Sequence, residues 1–280
     1  MKKKHIFKSV RGRNCIIDYY DQMLNTYLDN TKQYYLNTSY GSTFIIEAGE
    51  KDYLPIVLLH GSGMSSSMWL NDLEKYSKKN RVFAIDILGE PGKSEENRLS
   101  LEGDDYVKWL FEIFNNLQIK KADLVGLSLG GWLSIKIAEY YPDRVKKIVL
   151  ISPAGIGEEK KSFSLKFLFY KLQGKKGINK LFCKINGNKP MSAEIMKYQY
   201  LIVKHFIYRN GVIPIFSDEE LKKLKMPIAI FIGGRDILLK TAEIKERAEK
   251  LINNVEVKYL REAGHSIDNI STEILRFINY

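Results

Sequence analysis

The stretch GLSLGGW, residues 126–132, places one serine, Ser128, between Gly126 and Gly130. A buried-type strand, ADLVGL, precedes this serine, and the helix-like segment GGWLSIKIAEYY follows it. A Gly-x-Ser-x-Gly sequence on a strand-to-helix turn is typical of a strained elbow that exposes a nucleophilic hydroxyl. The same letters also occur in ordinary glycine-rich bends, so the interpretation depends on the surrounding strands and on an available base.

Continuous apolar runs alternate with helix-length segments on both sides of this motif. Six runs are typical of strands covered on both faces, namely LPIVLLH, RVFAIDILG, ADLVGLS, VKKIVLIS, MPIAIFIGG and VEVKYL. Before them, KQYYLNTS and STFIIEAGE flank Tyr40-Gly41, which predicts a hairpin. The alternation predicts an α/β fold with a mostly parallel eight-stranded sheet and helices on both faces. An amphipathic helix is predicted at about residues 14–30.

Residues 156–225, called the insertion below, break this alternation and are predicted to be helical. They lie between the sixth and seventh strands, so the predicted core comprises residues 1–155 and 226–280. The net charge of the chain is +11, and the insertion holds 15 Lys and Arg against 6 Asp and Glu. Such an excess can serve nucleic acid, an anionic membrane or acidic ligands. We favour a compositional origin, because Lys is abundant throughout, and expect no specific nucleic-acid partner.

The two cysteines, Cys15 and Cys183, are far apart and outside any CxxC or cysteine–histidine cluster. Neither a disulfide framework nor a zinc site is therefore expected. The basic start of the chain has no apolar stretch behind it, which argues against a secretory signal. No run of about 18 apolar residues is present to span a membrane. We expect a cytoplasmic protein without a metal centre.

A serine hydroxyl needs a base, and four histidines are available. His265, in REAGHSID, follows the last strand and fits this role best, because its loop lies at the sheet edge expected for Ser128. The imidazole in turn needs a carboxylate to fix its tautomer. Asp236 follows the strand PIAIFIG at the same edge and is the preferred acid. Lower-ranked alternatives are Glu158, Glu159 and Asp268.

A negatively charged oxygen that develops during attack needs backbone donors. The N–H of Leu129, directly after the serine, is one candidate. The other is the N–H of Ser62 in the loop HGSGMSSSMW after the first parallel strand. His60 and Gly61 are expected to shape this loop rather than to react.

Six motifs occur in order along the chain: LLHGSG at 58–63, DILGEPGKS at 86–94, GLSLGG at 126–131, ISPAG at 151–155, GGRD at 233–236 and AGHS at 263–266. In them the chain resembles the α/β-hydrolase superfamily, and most of all its capped, cytosolic bacterial carboxylesterase-like members. The resemblance implies a Ser128–Asp236–His265 triad, donors at Ser62 and Leu129, no cofactor, and a cap formed by the insertion. It also implies that Asp86 orders the loop that follows it. GEPGKS departs from many relatives by carrying Glu90 and Lys93.

The expected function is hydrolysis of a small carboxylic ester through an acyl-enzyme intermediate. Two alternatives stay open: the same triad used for C–C, thioester or lactone hydrolysis or for acyl transfer, and a non-catalytic small-ligand receptor. Six apolar side chains of the insertion could form an acyl pocket or a membrane-facing lid: Phe163, Leu165, Phe167, Leu168, Phe169 and Tyr170. For most of them we favour ordinary packing within the cap, and we rank membrane contact low. The acyl and alcohol groups, the pathway and the oligomeric state stay open.

Overall fold

The centre of the protein is one eight-stranded sheet. The computed structural model describes residues 5–27 and 31–280. The strands are β1 (Lys32–Thr38), β2 (Gly41–Ala48), β3 (Leu54–Leu59), β4 (Asn80–Ile85), β5 (Ala122–Leu127), β6 (Val145–Ile151), β7 (Ile228–Gly233) and β8 (Val255–Leu260).

The strand order is β1-β2-β4-β3-β5-β6-β7-β8. β2 runs antiparallel to both β1 and β4, whereas all other neighbouring strands are parallel. The predicted fold class, a mostly parallel eight-stranded sheet with helices, is confirmed. Since the carboxyl ends of parallel strands lie at one edge, the loops after β3, β5, β7 and β8 share that edge.

Ten helices are present among the described residues. They are α1 (Val10–Tyr27), α2 (Leu70–Ser77), α3 (Asp105–Asn116), α4 (Leu129–Tyr140), α5 (Ser162–Leu172), α6 (Gly174–Ile185), α7 (Ala193–His205), α8 (Asp218–Lys222), α9 (Thr241–Leu251) and α10 (Ser271–Asn279). Helices α5 to α8 lie between β6 and β7, where the sequence predicts a helical segment.

The hydrophobic core has two parts, because the central strands bury both of their faces. In β3, Val57 and Leu59 belong to one cluster of buried side chains, whereas Ile56 and Leu58 belong to the other. Successive side chains of a strand point to opposite faces, which is why the apolar runs of the sequence are continuous rather than alternating.

Two helix boundaries differ from the sequence-based expectation. Helix α1 begins at Val10, where Ser9 Oγ accepts a hydrogen bond from the Gly12 N–H at 3.0 Å and caps the first turn. The last residues of its predicted range, 28–30, lie outside the described residues. Within the insertion, which is predicted to be helical, α7 ends at His205, because Phe206 instead forms an antiparallel bridge with Phe7.

The helices of the described ranges, 5–27 and 31–280, include none that is long and apolar enough to cross a lipid bilayer. The longest, α1, has 18 residues and carries several charged side chains along its length. Spanning the hydrocarbon core takes about 20 predominantly apolar residues.

Candidate active site

Ser128 occupies a strained turn between β5 and α4. Its backbone angles are φ 50° and ψ −107°, outside the regions that a residue with a side chain favours. A Cβ at Gly126 would lie 2.3 Å from the carbonyl oxygen of Gly130, and one at Gly130 would lie 2.1 Å from the carbonyl oxygen of Leu59. The turn therefore requires glycine at both positions. Backbone strain of this kind concentrates at functional sites.

Hydrogen bonds hold this turn against the neighbouring strand. The Ser128 N–H donates to the carbonyl of Ile151 at the end of β6 (3.0 Å), and its own carbonyl accepts from Trp132 and Ala154. The N–H of Leu129 is the first of α4, so it has no acceptor within its helix. The half-buried serine thus stands at a helix N-terminus, where the positive end of the helix dipole favours negative charge.

His265 and Asp236 form a buried pair after the last two strands. The Nδ1–H of His265 donates to Oδ2 of Asp236 at 2.8 Å, since an ionised carboxylate can only accept. The other oxygen, Oδ1, accepts from the N–H groups of Leu238 (2.6 Å) and Leu239 (3.0 Å). This arrangement leaves Nε2 of His265 as the acceptor of the ring.

The pKa of Asp236 reflects two opposing effects. Burial raises this pKa. The charge and hydrogen bond of His265, together with the two backbone N–H donors, lower it by a larger amount. The net result is a pKa below the ordinary value, so this carboxylate stays ionised at neutral pH. An ionised acid that touches Nδ1 favours a histidine able to take up a proton at Nε2.

The structure brings Asp236 and His265 into direct contact and places Ser128 at the same sheet edge. Within the described residues the Ser128 hydroxyl forms no hydrogen bond with His265. In unliganded enzymes such contacts are often long and tighten only when substrate binds. Two of the lower-ranked acids have other partners: Glu158 pairs with Lys240, and Glu159 accepts from the N–H of Ile213 (3.5 Å). The third, Asp268, is exposed.

The loop after β3 is fixed by a buried histidine. His60 Nε2 accepts from the N–H of Ile87 (2.8 Å), which leaves its Nδ1–H to donate to the carbonyl of Gly61 (2.9 Å). The ring thereby ties the end of β3 to the segment after β4. The N–H of Ser62 forms no hydrogen bond with any described residue, so it remains available to a ligand.

Glu90 also holds this loop, which sequence reasoning did not foresee. Its fully buried Oε2 accepts from the Gly63 N–H (2.7 Å) and from the Ser62 hydroxyl (3.2 Å). Its Oε1 has no hydrogen-bond donor among the described residues, and the nearest cation is Arg209 Nη2 at 4.0 Å. The only signal in the sequence was the unusual carboxylate in GEPGKS, which said nothing about what it would contact.

The neighbouring departure from the resemblance, Lys93, is structural. Its backbone N–H donates to Asp86 Oδ2 (2.7 Å), and its ammonium pairs with Asp21 of α1. Asp86 also accepts from the Ser66 N–H (2.7 Å) and from the Tyr20 hydroxyl (3.2 Å). This carboxylate therefore joins three segments around the loop after β3.

The insertion contacts the histidine loop and the loop after β3. The N–H of His265 donates to the carbonyl of Ile185, at the end of α6, at 2.7 Å. The Tyr208 ring lies against Gly63, where a Cβ would come within 2.5 Å of it. Both contacts place residues of the insertion beside the edge that carries Ser128.

A cavity of about 420 Å³ adjoins these residues. It is lined by sequence neighbours of the predicted site, Met64, Leu127 and Ser266, and by Met191 and Ile195 of the insertion. None of Ser128, Asp236 and His265 lines it, so it lies beside the proposed chemistry and does not contain it. Its mixed apolar and polar walls suit part of a small organic ligand.

The described residues include no group of three or more His, Cys, Asp or Glu side chains placed to hold a metal ion. Both carboxylate oxygens of Asp236 and Nδ1 of His265 are engaged with each other or with backbone N–H groups, whereas Nε2 of His265 remains the acceptor of the ring. This sheet edge brings together a serine, an imidazole and a carboxylate.

Comparisons with known proteins agree with this architecture. Residues 55–175 match a family model described as the alpha/beta hydrolase fold. The chain is 29% identical to an uncharacterized carboxylesterase, nap, of Bacillus subtilis, over 93% of this chain and 91% of the relative. It is 28% identical to the carboxylesterase YbfK of the same organism, over 92% of each.

A solved structure of a putative hydrolase from Bacillus subtilis superposes with a TM-score of 0.88 at 27% identity. The alignment covers 97% of this chain and 100% of that one. The sheet order and these matches show the α/β-hydrolase fold. The chain is a hydrolase enzyme of that fold and is similar to carboxylesterases over most of its length.

Proposed function

We propose that this protein hydrolyses small carboxylic esters with Ser128 as nucleophile, His265 as base and Asp236 as the acid that orients the base. The observation that carries the proposal is the buried His265–Asp236 hydrogen bond at the sheet edge where Ser128 occupies its strained turn. Similarity to carboxylesterases over most of the chain supports ester substrates.

The reaction follows from these positions. His265 Nε2 takes the proton of Ser128 as the serine oxygen attacks the ester carbonyl, and Asp236 stabilises the resulting imidazolium. The N–H groups of Ser62 and Leu129 bind the oxyanion. The imidazolium then protonates the departing alcohol, and a water molecule activated by the same histidine releases the carboxylic acid and restores Ser128.

The insertion, residues 156–225, serves in this proposal as a cap over the site. The hydrogen bond from His265 to Ile185 and the packing of Tyr208 against Gly63 support this role. The cavity beside Met64 and Leu127 has room for either the acyl or the alcohol group of the ester. The core would then comprise residues 1–155 and 226–280.

Turnover of p-nitrophenyl esters of graded acyl length tests the proposal. We expect Ser128→Ala to lower kcat by about 10⁴-fold or more, because the nucleophile is removed. Ser152→Ala is a matched control: Ser152 follows the neighbouring strand β6, also has a positive φ of 41°, and its buried hydroxyl has no partner among the described residues.

Full turnover by Ser128→Ala, or an equal loss in Ser152→Ala, would contradict the assignment. Thioester, lactone and C–C substrates belong in the same panel, since the same triad could act on them. Ester turnover well above theirs is the result that we expect.

A further inference from the structure

Helix α5 presents an apolar face to solvent. Leu165, Leu168, Phe169 and Leu172 are 73%, 53%, 62% and 80% exposed. Their spacing puts them on one face of the helix, and no residue of α5 is buried. The expectation that apolar residues of this segment pack within the cap is therefore wrong for Leu165, Leu168 and Phe169. Contiguous exposed apolar patches of this kind mark interaction sites.

Uncompensated positive charge surrounds this face. Residues 160–184 contain eight lysines and no Asp or Glu. In the part of the chain that the structure describes, none of these lysines pairs with a carboxylate. Lys160 instead donates to the carbonyl of Asp236, and Lys171 lies over the Phe167 ring at 5.9 Å from its centroid. Seven of the eight lysines are thus exposed to solvent, and none has a carboxylate partner among the described residues.

We propose that α5 and the lysines of residues 160–184 form a docking surface for a lipid bilayer that carries anionic headgroups. Exposed leucine and phenylalanine side chains enter the boundary between headgroups and acyl chains, while lysines reach lipid phosphates. The flexible stems of the lysines let them cover apolar surface and still place their ammonium groups in water.

Other occupants fit this surface less well. A second copy of the chain would bring eight lysines against eight lysines, and like charges repel. A nucleic acid would satisfy the lysines but would leave the four exposed apolar side chains in water. An anionic bilayer satisfies both features at once.

The docking surface adjoins the proposed active site. A groove of about 430 Å³ is lined by Leu165, Lys166, Phe169, Tyr170, Lys184 and Ile237. Ile237 directly follows Asp236, the proposed acid. Docking through α5 would therefore bring the bilayer close to the loop that carries this acid. The docking proposal goes beyond ester hydrolysis and does not depend on it.

Vesicle co-sedimentation of the full chain tests the proposal. We expect binding to phosphatidylcholine vesicles that contain phosphatidylglycerol, little binding to phosphatidylcholine alone, and release at high salt. One variant changes all four exposed apolar residues of α5 to serine: Leu165→Ser, Leu168→Ser, Phe169→Ser and Leu172→Ser. It should bind at least about tenfold more weakly than the unchanged protein. A variant with Lys166, Lys171, Lys175 and Lys176 each changed to Gln should lose affinity by a similar factor.

Matched controls use comparable residues elsewhere on the surface. Val10→Ser with Val212→Ser removes two exposed apolar side chains, and Lys78→Gln with Lys245→Gln removes two exposed lysines. Both control variants should bind vesicles as the unchanged protein does. Hydrolysis of a water-soluble p-nitrophenyl ester, measured in every variant, should stay constant and shows separately whether the fold and the proposed chemistry are intact.

Absence of binding to the anionic vesicles at low salt would overturn the proposal. So would equal binding by the serine variant with intact ester hydrolysis. A dimer that light scattering detects at rising concentration, and that the serine substitutions abolish, would show that a second copy covers this face and would also overturn it.

Discussion

Two buried aspartates lie near opposite edges of the same sheet and differ in what surrounds them. Asp236, beyond the carboxyl end of β7, receives hydrogen bonds from His265 and from the N–H groups of Leu238 and Leu239. Asp123, the second residue of β5, has no side-chain hydrogen bond of good geometry among the described residues, although the backbone N–H of Lys147 acts to lower its pKa. Its nearest cation is Lys146 Nζ at 3.8 Å.

The pKa values of the two carboxyls move in opposite directions. Burial acts to raise both pKa values. At Asp236 the lowering effect of His265 and the backbone donors is larger than the effect of burial, and the pKa falls below its ordinary value. At Asp123 the effect of burial is larger than that of the Lys146 and Lys147 charges, and it raises the pKa to about 6. Burial alone thus does not identify a functional carboxylate; the donors arranged around it do.

Removing the charge of Asp236 should have the largest effect on catalysis. Asp236→Asn keeps the shape of the side chain but favours the wrong tautomer of His265, so kcat should fall by about 10⁴-fold. Steady-state kinetics on a p-nitrophenyl ester measure this loss. Glu158→Gln is the control, because Glu158 is an exposed carboxylate that pairs with Lys240. If Glu158→Gln lost as much activity as Asp236→Asn, the acid would be misassigned.

Removing the charge of Asp123 should stabilise the protein instead. The folded-state pKa of about 6, raised from 3.8, means that ionisation above pH 6 weakens the folded state, by up to about 3 kcal/mol. Asp123→Asn should therefore raise the free energy of unfolding by about 1–3 kcal/mol at pH 8, with kcat unchanged.

This gain depends on pH in a defined direction. It should be fully present above about pH 7, shrink by about half at pH 5, and vanish as the pH approaches the unfolded value of 3.8. Urea unfolding of the unchanged protein and of Asp123→Asn at pH 8 and pH 5 measures this gain in the free energy of unfolding. A gain that does not change with pH would mean that ionisation of Asp123 is not its source.

Glu90 combines features of Asp236 and Asp123, because one of its carboxylate oxygens accepts hydrogen bonds and the other has no donor among the described residues. Glu90→Ala leaves the Gly63 N–H without its acceptor and loosens the loop that carries Ser62. We expect kcat to fall by about tenfold with KM nearly unchanged, in line with the cost of a lost buried acceptor. Glu90→Gln keeps one acceptor oxygen and should restore most of kcat. A change in KM alone would show that Glu90 affects substrate binding rather than loop position.

Much of the fold could be predicted because its signals are local. The apolar runs mark β3 to β8, and the order of the motifs places Ser128, Asp236 and His265 after strand ends, where the structure has them. The assignment of these three residues to catalysis stays a prediction. The contact between Asp236 and His265 could be anticipated because both loops follow adjacent parallel strands.

The features that sequence reasoning missed depend on distant contacts. Glu90 reaches Gly63 across 27 positions, and α7 stops where Phe206 meets Phe7 at the other end of the chain. The apolar side chains of α5 have helical spacing, but spacing does not tell whether a neighbour covers that face. In each case the deciding partner lies far away in sequence or is absent from the described part of the chain.

The central claim is that Ser128 is the nucleophile, and covalent trapping tests it most directly. The protein is treated with a fluorophosphonate probe, and the modified residue is mapped by mass spectrometry of its peptides. We predict one adduct, on Ser128, that forms much more slowly in His265→Ala and is absent from Ser128→Ala. An adduct on Ser62, Ser65 or Ser66, or undiminished labelling of Ser128→Ala, would contradict the account.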